Sequence, residues 1–553
     1  MKEVINEIHK ITKLNKKEIE NLIEIPPLGN LGDYAFPCFV LSKELKQSPQ
    51  KIAQDLEQKI KSKEFEKVES NGAYLNFFVD KKKLIKKILK EISCEDFGKF
   101  NVGKGKTIVI DFSAPNIAKP FGIGHLRSTI IGNSIANICN FMGFKTIKIN
   151  YLGDWGTQFG KLITGYKKFG KESELKKDPI KYLLEIYVKI NKDKKYENES
   201  REWFKKLEQG NKEALNLWKK FRELSLRDFK KLYDILGISF DEFSGESEYN
   251  QEMKEIIKKL KEKKLLKKSE GALIVDLEKY NLGNVLIQKS NGSTLYITRD
   301  LAAAINRYKK YKFEKMIYEV GQEQELHFKQ LFKILELMGN KWAKNCIHAQ
   351  HGLYLDKDGK KFSTRKGKTI FMENIINDTV FLTKKEIEKR WSNIEKKEIE
   401  RRALKVAIAS ISYGDLKNNR IKDMVFDLER FTSFEGDTGP YILYSYARAN
   451  SILKKVKTSS KKIRIEKLEL NEVRLAKKIY EFSEVILKSY KNLNPSYLAN
   501  YSYQLAQTFN EFYHSCLVIN SENETLRIEL VKNFKKVLKK SLELLGIETI
   551  DEM

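Results

Sequence analysis

The stretch from Asp111 to Ser128, DFSAPNIAKPFGIGHLRS, limits what this chain can fold into more than any other part of it. KTIVI before it is a short apolar run rich in β-branched residues, as a buried parallel strand requires. LRSTIIGNSIANICNFMGF after it carries apolar residues at helical spacing. The loop therefore stands at the carboxyl end of a strand. Ligands bind at that end of open α/β sheets, and the first turn of the following helix presents unpaired N–H groups and a positive dipole to a phosphate. Gly122 and Gly124 remove side chains where a base or phosphate would approach the backbone, and His125 puts a donor in the first turn. The pattern fits a nucleotide cradle, although a strand, a glycine turn and an amphipathic helix also make an ordinary α/β unit.

A chain of 553 residues is too long for one core and suggests about three to four units. Its formal net charge of +29 points to a polyanionic partner, the bland alternative being lysines spread over solvated faces. No apolar run approaches the roughly 20 residues that span a bilayer, and MKEVINEIHK is too polar for a signal peptide, so a cytoplasmic location is expected. Five cysteines, Cys38, Cys94, Cys139, Cys346 and Cys516, are scattered without a C-x-x-C pair. They read as reduced, mostly buried thiols, and no protein-bound metal is expected.

In chain order, residues 1–80 read as a small α/β module ending in the strand-like GAYLNFFVD, and a lysine-rich helical connector follows over 81–103. FNVGKGKT resembles a P-loop only in its last residues. Phe100 replaces the first glycine, and the segment precedes a strand instead of following one. A Rossmann-type domain is expected over 104–370, with a charged helical insertion over about 165–270 whose Trp203, Trp218, Phe221, Leu224 and Phe229 pack a helical core. Asn291 and Gly292 suit a two-residue hairpin turn, which would place Tyr296 at a strand end and Asp300 at a helix cap. Gln324 opens another strand-to-helix crossing, with His327 structural, and Asp358 and Gly359 mark a turn into a basic loop. A helical stem is expected over 371–435. A helical bundle follows over 436–553, whose Tyr501, Tyr503 and Tyr513 could stack bases or pack a core.

FSAPNIAKPFGIGHLRSTIIGN is similar, almost position by position, to the ATP-binding segment of class I aminoacyl-tRNA synthetases in the form typical of the arginyl-tRNA synthetases. The family motif is His-x-Gly-His; Gly122 stands at its first histidine, and Gly124 and His125 match. KFSTR, Lys361 to Arg365, resembles the second motif, Lys-Met-Ser-Lys-Ser, with Thr364 at the second lysine and Lys119 matching the lysine held to compensate. The resemblance covers nearly the full chain. It implies a multidomain α/β protein: a Rossmann-type parallel-sheet catalytic core with a helical insertion, a small α/β N-terminal domain and an all-α C-terminal anticodon-binding bundle.

The resemblance also implies ATP-dependent attachment of L-arginine to tRNA(Arg) through an arginyl-adenylate, with ATP entering as its Mg²⁺ complex and the chain acting as a monomer. Lys119, His125, Lys361 and Ser363 would act on the phosphates. Gly122, Gly124, His125, Lys361, Phe362 and Ser363 would bind ATP. Asp111, Asn116, Tyr296, Asp300 and Gln324 would bind arginine, and a carboxylate that accepts two parallel hydrogen bonds does suit a planar guanidinium. Asp33 and Tyr34 would meet the tRNA elbow, and Tyr501, Tyr503 and Tyr513 the anticodon loop. Two other readings remain open at this point: a same-fold enzyme that adenylylates another amino acid, and a non-catalytic RNA-binding descendant.

Overall fold

The computed structural model describes residues 2–26, 31–290, 295–360, 371–390, 395–456, 463, 465 and 467–553, which form two compact units. The first unit comprises 1–97, 452–481 and 508–534. Its three-stranded antiparallel sheet pairs Tyr74–Val79 with Tyr34–Pro37 on one side and Phe65–Asn71 on the other, so GAYLNFFVD does form the central strand. Helix Pro49–Lys59 starts with Ser48 accepting a hydrogen bond from the Lys51 N–H and Pro49 in the first turn, where a missing N–H costs nothing. Its Ile52, Ala53 and Leu56 close over Phe36, Leu75 and Phe77.

The second unit comprises 98–451, 482–507 and 535–553. Five parallel strands lie at its centre: β1 Thr107–Asp111, β2 Lys145–Leu152, β3 Glu242–Gly245, β4 Lys315–Tyr318 and β5 Cys346–His348, in the order β3-β2-β1-β4-β5. This is the Rossmann order, and the direction of winding reverses between β1 and β4. In open sheets with such a reversal, ligands bind between the diverging loops at the carboxyl edge. Helix α1, Ile123–Phe141, follows β1 and is buried almost throughout, as its apolar run requires. Gly132 on α1 lets the Phe112 ring pack against the helix backbone; a Cβ there would fall 2.3 Å from that ring. Gly132→Ala is expected to destabilise this unit by about 1–3 kcal/mol, read as a lower thermal midpoint.

Between β2 and β3 the chain is helical, ending in α2, Lys212–Leu236, which Asn211 caps through the Glu213 and Ala214 N–H groups and Gly237 terminates at φ 66°. Trp203, Phe221 and Phe229 are buried as expected. The sheet strand β3 lies inside the span read as insertion, because its four residues are too few to carry a strand signal. A three-stranded antiparallel meander follows over Leu266–Ser269, Ala272–Asp276 and Asn284–Gln288. Then come α3, Tyr296–Tyr311, and α4, Glu325–Leu337. Asn291 and Gly292 lie outside the described residues, and Tyr296–Tyr311, read as beginning at a strand end, is helix. Ile297, Leu301, Ala302 and Ala304 of α3 are buried in the core beside β1 and β4, and that packing overrides the strand preference of TLYIT.

The GKGK turn before β1 hydrogen-bonds to the loop after α1, through Gly103 N–H to Met142 O and Gly105 N–H to Gly143 O. Past β5, Gly359 at φ 72° turns the chain after Tyr354–Leu355. Helix Met372–Arg390 and α5, Lys396–Leu416, come next, and the remainder is helical over Gly439–Lys454, Leu470–Tyr480, Phe482–Lys491, Ser496–Ser515 and Glu524–Leu544. Of the free thiols, Cys94 is exposed and the other four are buried. Among the described residues no helix is long and apolar enough to cross a membrane.

Candidate active site

The loop from β1 to α1 is strained and tied down. Ser113, Ala114 and Ala118 all have positive φ, at 74°, 44° and 56°, a conformation that non-glycine residues hold only when their surroundings fix it. Ser113 N–H donates to Ser128 Oγ at 2.9 Å, Thr129 Oγ donates to Ser113 Oγ at 2.7 Å, and the Ser113 and Tyr233 hydroxyls lie 2.7 Å apart. Ala118 N–H donates to Ser225 Oγ at 2.9 Å. Ser225 and Tyr233 belong to α2, so the helical insertion holds the loop in shape.

At the start of α1 the Gly122 N–H donates to His125 Nδ1 at 3.3 Å. With Nδ1 accepting, the ring proton sits on Nε2, which becomes a donor. Burial, reinforced by the charge of Lys119, pushes the His125 pKa down to about 4, so the ring is neutral near pH 7. Lys119 Nζ lies 5.6 Å from the centre of the Tyr187 ring. Gly124 is open: a Cβ there would have nothing within 4 Å. Gly122 bridges to Phe371, and Met372 N–H donates to Phe121 O at 2.9 Å, so the chain re-enters the described structure against the nucleotide loop. Lys361, Phe362, Ser363 and Thr364 themselves lie outside the described residues.

Arg307 ties α3 to the end of β1, where this loop begins, and the same helix carries the polar side chains Tyr296 and Asp300. Tyr296 begins the helix and is 56% exposed, and Asp300 lies one turn on, so neither is a strand end nor a cap. His327 Nε2, from α4, lies 2.7 Å from Asp300 Oδ2 and fixes that carboxylate, a more specific role than general packing. Glu246, directly after β3, joins it. Burial pushes its pKa up to about 8; Arg299 opposes the shift, and Asp300 and Asp154 add to it. Tyr296 feels the Glu246 charge in turn. Asp154 is buried and held by Arg222 Nε at 3.0 Å and by Ser247. Asn116 and Gln324 are exposed on the loops after β1 and β4.

Asp111 does not present itself as the second carboxylate. It is buried at the end of β1 and paired with Arg307 of α3, whose Nη1 lies 2.7 Å from Oδ2. Burial pushes its carboxyl up and Arg307 pulls it back, while the Asp300 charge reaches it as well. The two aspartates thus share a neighbourhood, but Asp111 is tied to a guanidinium inside the fold, whereas Asp300 pairs with the His327 imidazole.

Three family models divide the chain. That described as tRNA synthetases class I (R), catalytic domain, matches residues 87–428; the DALR anticodon binding domain matches 442–553; and the arginyl tRNA synthetase N terminal domain matches 1–79. An arginine–tRNA ligase of Clostridium perfringens is 44% identical over 564 residues, covering 100% of this chain and 99% of that protein. This chain belongs to the arginyl-tRNA synthetase family. The arginine–tRNA ligase of Ligilactobacillus salivarius is 47% identical over 98% of this chain and 97% of its own. Among solved structures, the arginyl-tRNA synthetase of Plasmodium falciparum aligns at 28% identity and a TM-score of 0.81 over 99% of this chain and 97% of that one. The Thermus thermophilus arginyl-tRNA synthetase, at 23% identity and a TM-score of 0.80 over 96% of each chain, shares the fold.

Several residues matched to the family's RNA contacts have partners within the chain. Asp33 accepts from Val79 N–H at 3.0 Å and from Lys477 Nζ at 2.6 Å, so its carboxylate is spent inside the first unit. Tyr34 pairs with Phe77 in the small sheet and is half-buried. Tyr501 is 2% exposed, with its ring centre 6.2 Å from that of Phe482, and cannot stack a base. Tyr503 is half-buried against Tyr441. Tyr513 is 39% exposed and does offer a ring face.

Sequence reasoning missed Glu246 and Arg307. Glu246 sits in a short acidic stretch, GESE, with no periodic pattern to single it out. Arg307 did carry a signal: it lies two turns from Asp300 on the face that also holds Ala303 and Ala304, where a lone cation calls for a buried partner.

Proposed function

We propose that this chain joins L-arginine to tRNA(Arg), driven by ATP, and that the carboxyl edge of β1 and β4 houses the chemistry. In the first step the arginine carboxylate attacks the α-phosphate of ATP in line and pyrophosphate leaves. In the second the 2′-hydroxyl of the terminal adenosine of tRNA attacks the adenylate carbonyl and AMP leaves. No side chain forms a covalent bond. His125 Nε2–H, the Lys119 ammonium and the N–H groups at the start of α1 gain strength as charge gathers on the phosphate oxygens, which is how a prearranged polar site lowers a barrier. Mg²⁺ enters with ATP as part of the substrate. Gly122 and Gly124 leave room for the nucleotide.

The single observation that carries the arginine assignment is that Glu246 lies within reach of the charge of Asp300, and the exposed Tyr296 within reach of Glu246. A guanidinium resolves the repulsion of the two carboxyl groups. In this reading the exposed Asn116 and Gln324 take the α-amino group. In this reading 1–80 serves the tRNA elbow, 81–103 is a connector, 104–370 is catalytic, 371–435 is a stem, and 436–553 reads the anticodon with Tyr513 as a stacking face. The chain works in the cytoplasm as a monomer. Charging of total tRNA with labelled arginine tests the whole: arginine incorporation that depends on ATP is expected, and incorporation of a different amino acid instead would overturn it.

A pH dependence follows from Glu246. Below its pKa of about 8 the free enzyme carries the proton, and a bound cation must expel it. Arginine affinity should therefore rise with pH by up to about tenfold per unit and flatten above about 8. In Glu246→Gln that slope should vanish, measured by calorimetric titration with arginine.

A further inference from the structure

Arg307 sits where a guanidinium ligand would. Its Nη1 contacts Asp111, its side chain is 3% exposed, and the group stands over two rings, 5.0 Å from the centre of Tyr151 and 5.8 Å from that of Tyr318. An acid and two aromatic faces are what a buried guanidinium requires. Arg307 Nε and Nη2, and the hydroxyls of Tyr151 and Tyr318, are buried without hydrogen-bond partners among the described residues. A cluster so lightly tied by hydrogen bonds is held by charge and ring contact more than by directional bonding. The charge of Asp300 reaches Asp111, Tyr151 and Tyr318 alike, so this cage adjoins the substrate pocket.

We propose that Arg307 is a resident guanidinium, a positioning residue that occupies Asp111 and its tyrosine cage and so confines the substrate's guanidinium to Asp300 and Glu246. The inference rests on the proposed activity. Without Arg307 the pocket would hold an uncompensated third carboxylate deeper in the fold. Substrate arginine would sink toward it, and its own carboxylate would withdraw from the α-phosphate. The alanine variant would then have a lower kcat, not merely a weaker substrate complex.

Free guanidinium ion tests this. In Arg307→Ala, about 10 mM guanidinium chloride should raise the thermal midpoint by a few degrees more, relative to equal sodium chloride, than it does in the unaltered chain, where only the substrate pocket is open to it. The same addition should restore at least about tenfold of the lost kcat in arginine-dependent pyrophosphate exchange, which sodium chloride should not do. Arg307→Lys, which lacks the planar fork, should remain impaired. Equal responses to the two salts would overturn the proposal. A second test does not need that variant to fold. Asp111→Asn strands the Arg307 charge beside the pocket and should raise the KM for arginine by about tenfold or more, and Asp111→Asn/Arg307→Met should recover most of that loss. If Asp111 itself touched arginine, the double variant would stay as impaired as the single one, and the proposal would fail. The thermal measurement needs no catalysis, so an unaltered chain that charges no tRNA would count against the proposed activity alone.

Discussion

Asp300→Asn is expected to raise the KM for arginine by about two to three orders of magnitude while the KM for ATP changes by no more than a few fold. The argument turns on what asparagine keeps and what it loses. An amide oxygen still accepts from His327, so the side chain stays where the 2.7 Å contact puts it. The negative charge is gone, and with it the ability to take two parallel N–H groups from a guanidinium. Glu246 does not make up the deficit, since it remains buried and still bears the cost of giving up its proton when the cation binds. Pyrophosphate exchange at varied arginine concentration gives the answer, and an unchanged KM would remove Asp300 from the pocket.

His125→Ala is expected to act on the other coordinate. Loss of one prearranged donor to a phosphate that gathers charge should lower the rate of adenylate formation by about 10²- to 10³-fold and leave the KM for arginine within a few fold. The pKa of about 4 sharpens the expectation. Since the ring is neutral from well below pH 6 upward, the rate should show no histidine inflection across the physiological range. His125→Asn, which retains an N–H donor, should recover part of the loss. Single-turnover adenylate formation measures both effects, and near-normal rates in the alanine variant would end the assignment.

Much of this was legible in the residues, for reasons that can be stated. The β1–loop–α1 unit could be read because both of its flanks are long and strongly patterned, KTIVI for a strand and the run after His125 for a helix. The motif match then covered enough positions to name a family. TLYITRD misled because threonine, tyrosine and isoleucine favour strands in isolation. In the folded chain Thr298 Oγ donates to Ile287 O, and α3 is drawn into the core. Asp111 was matched to the substrate without sight of the competing cation, since Arg307 is brought to it only when α3 packs beside β1. The tyrosines of the last domain could not be sorted by type. Whether a ring faces a core or water depends on the phase of the helix against its neighbours, and Tyr501 and Tyr513 fall on opposite sides of that division.

The bend between β1 and α1 borrows its shape from elsewhere. Of the three residues in an unfavourable backbone region, Ser113 and Ala118 are held by hydroxyls, two of which, from Ser225 and Tyr233, arrive on a helix far along the chain. A graft that moves only the Asp111–Ser128 text onto another nucleotide-binding scaffold would arrive without its brace and relax to a different curve. The transplantable piece is the bend together with its distant helix, and mutational drift in one is answerable to the other.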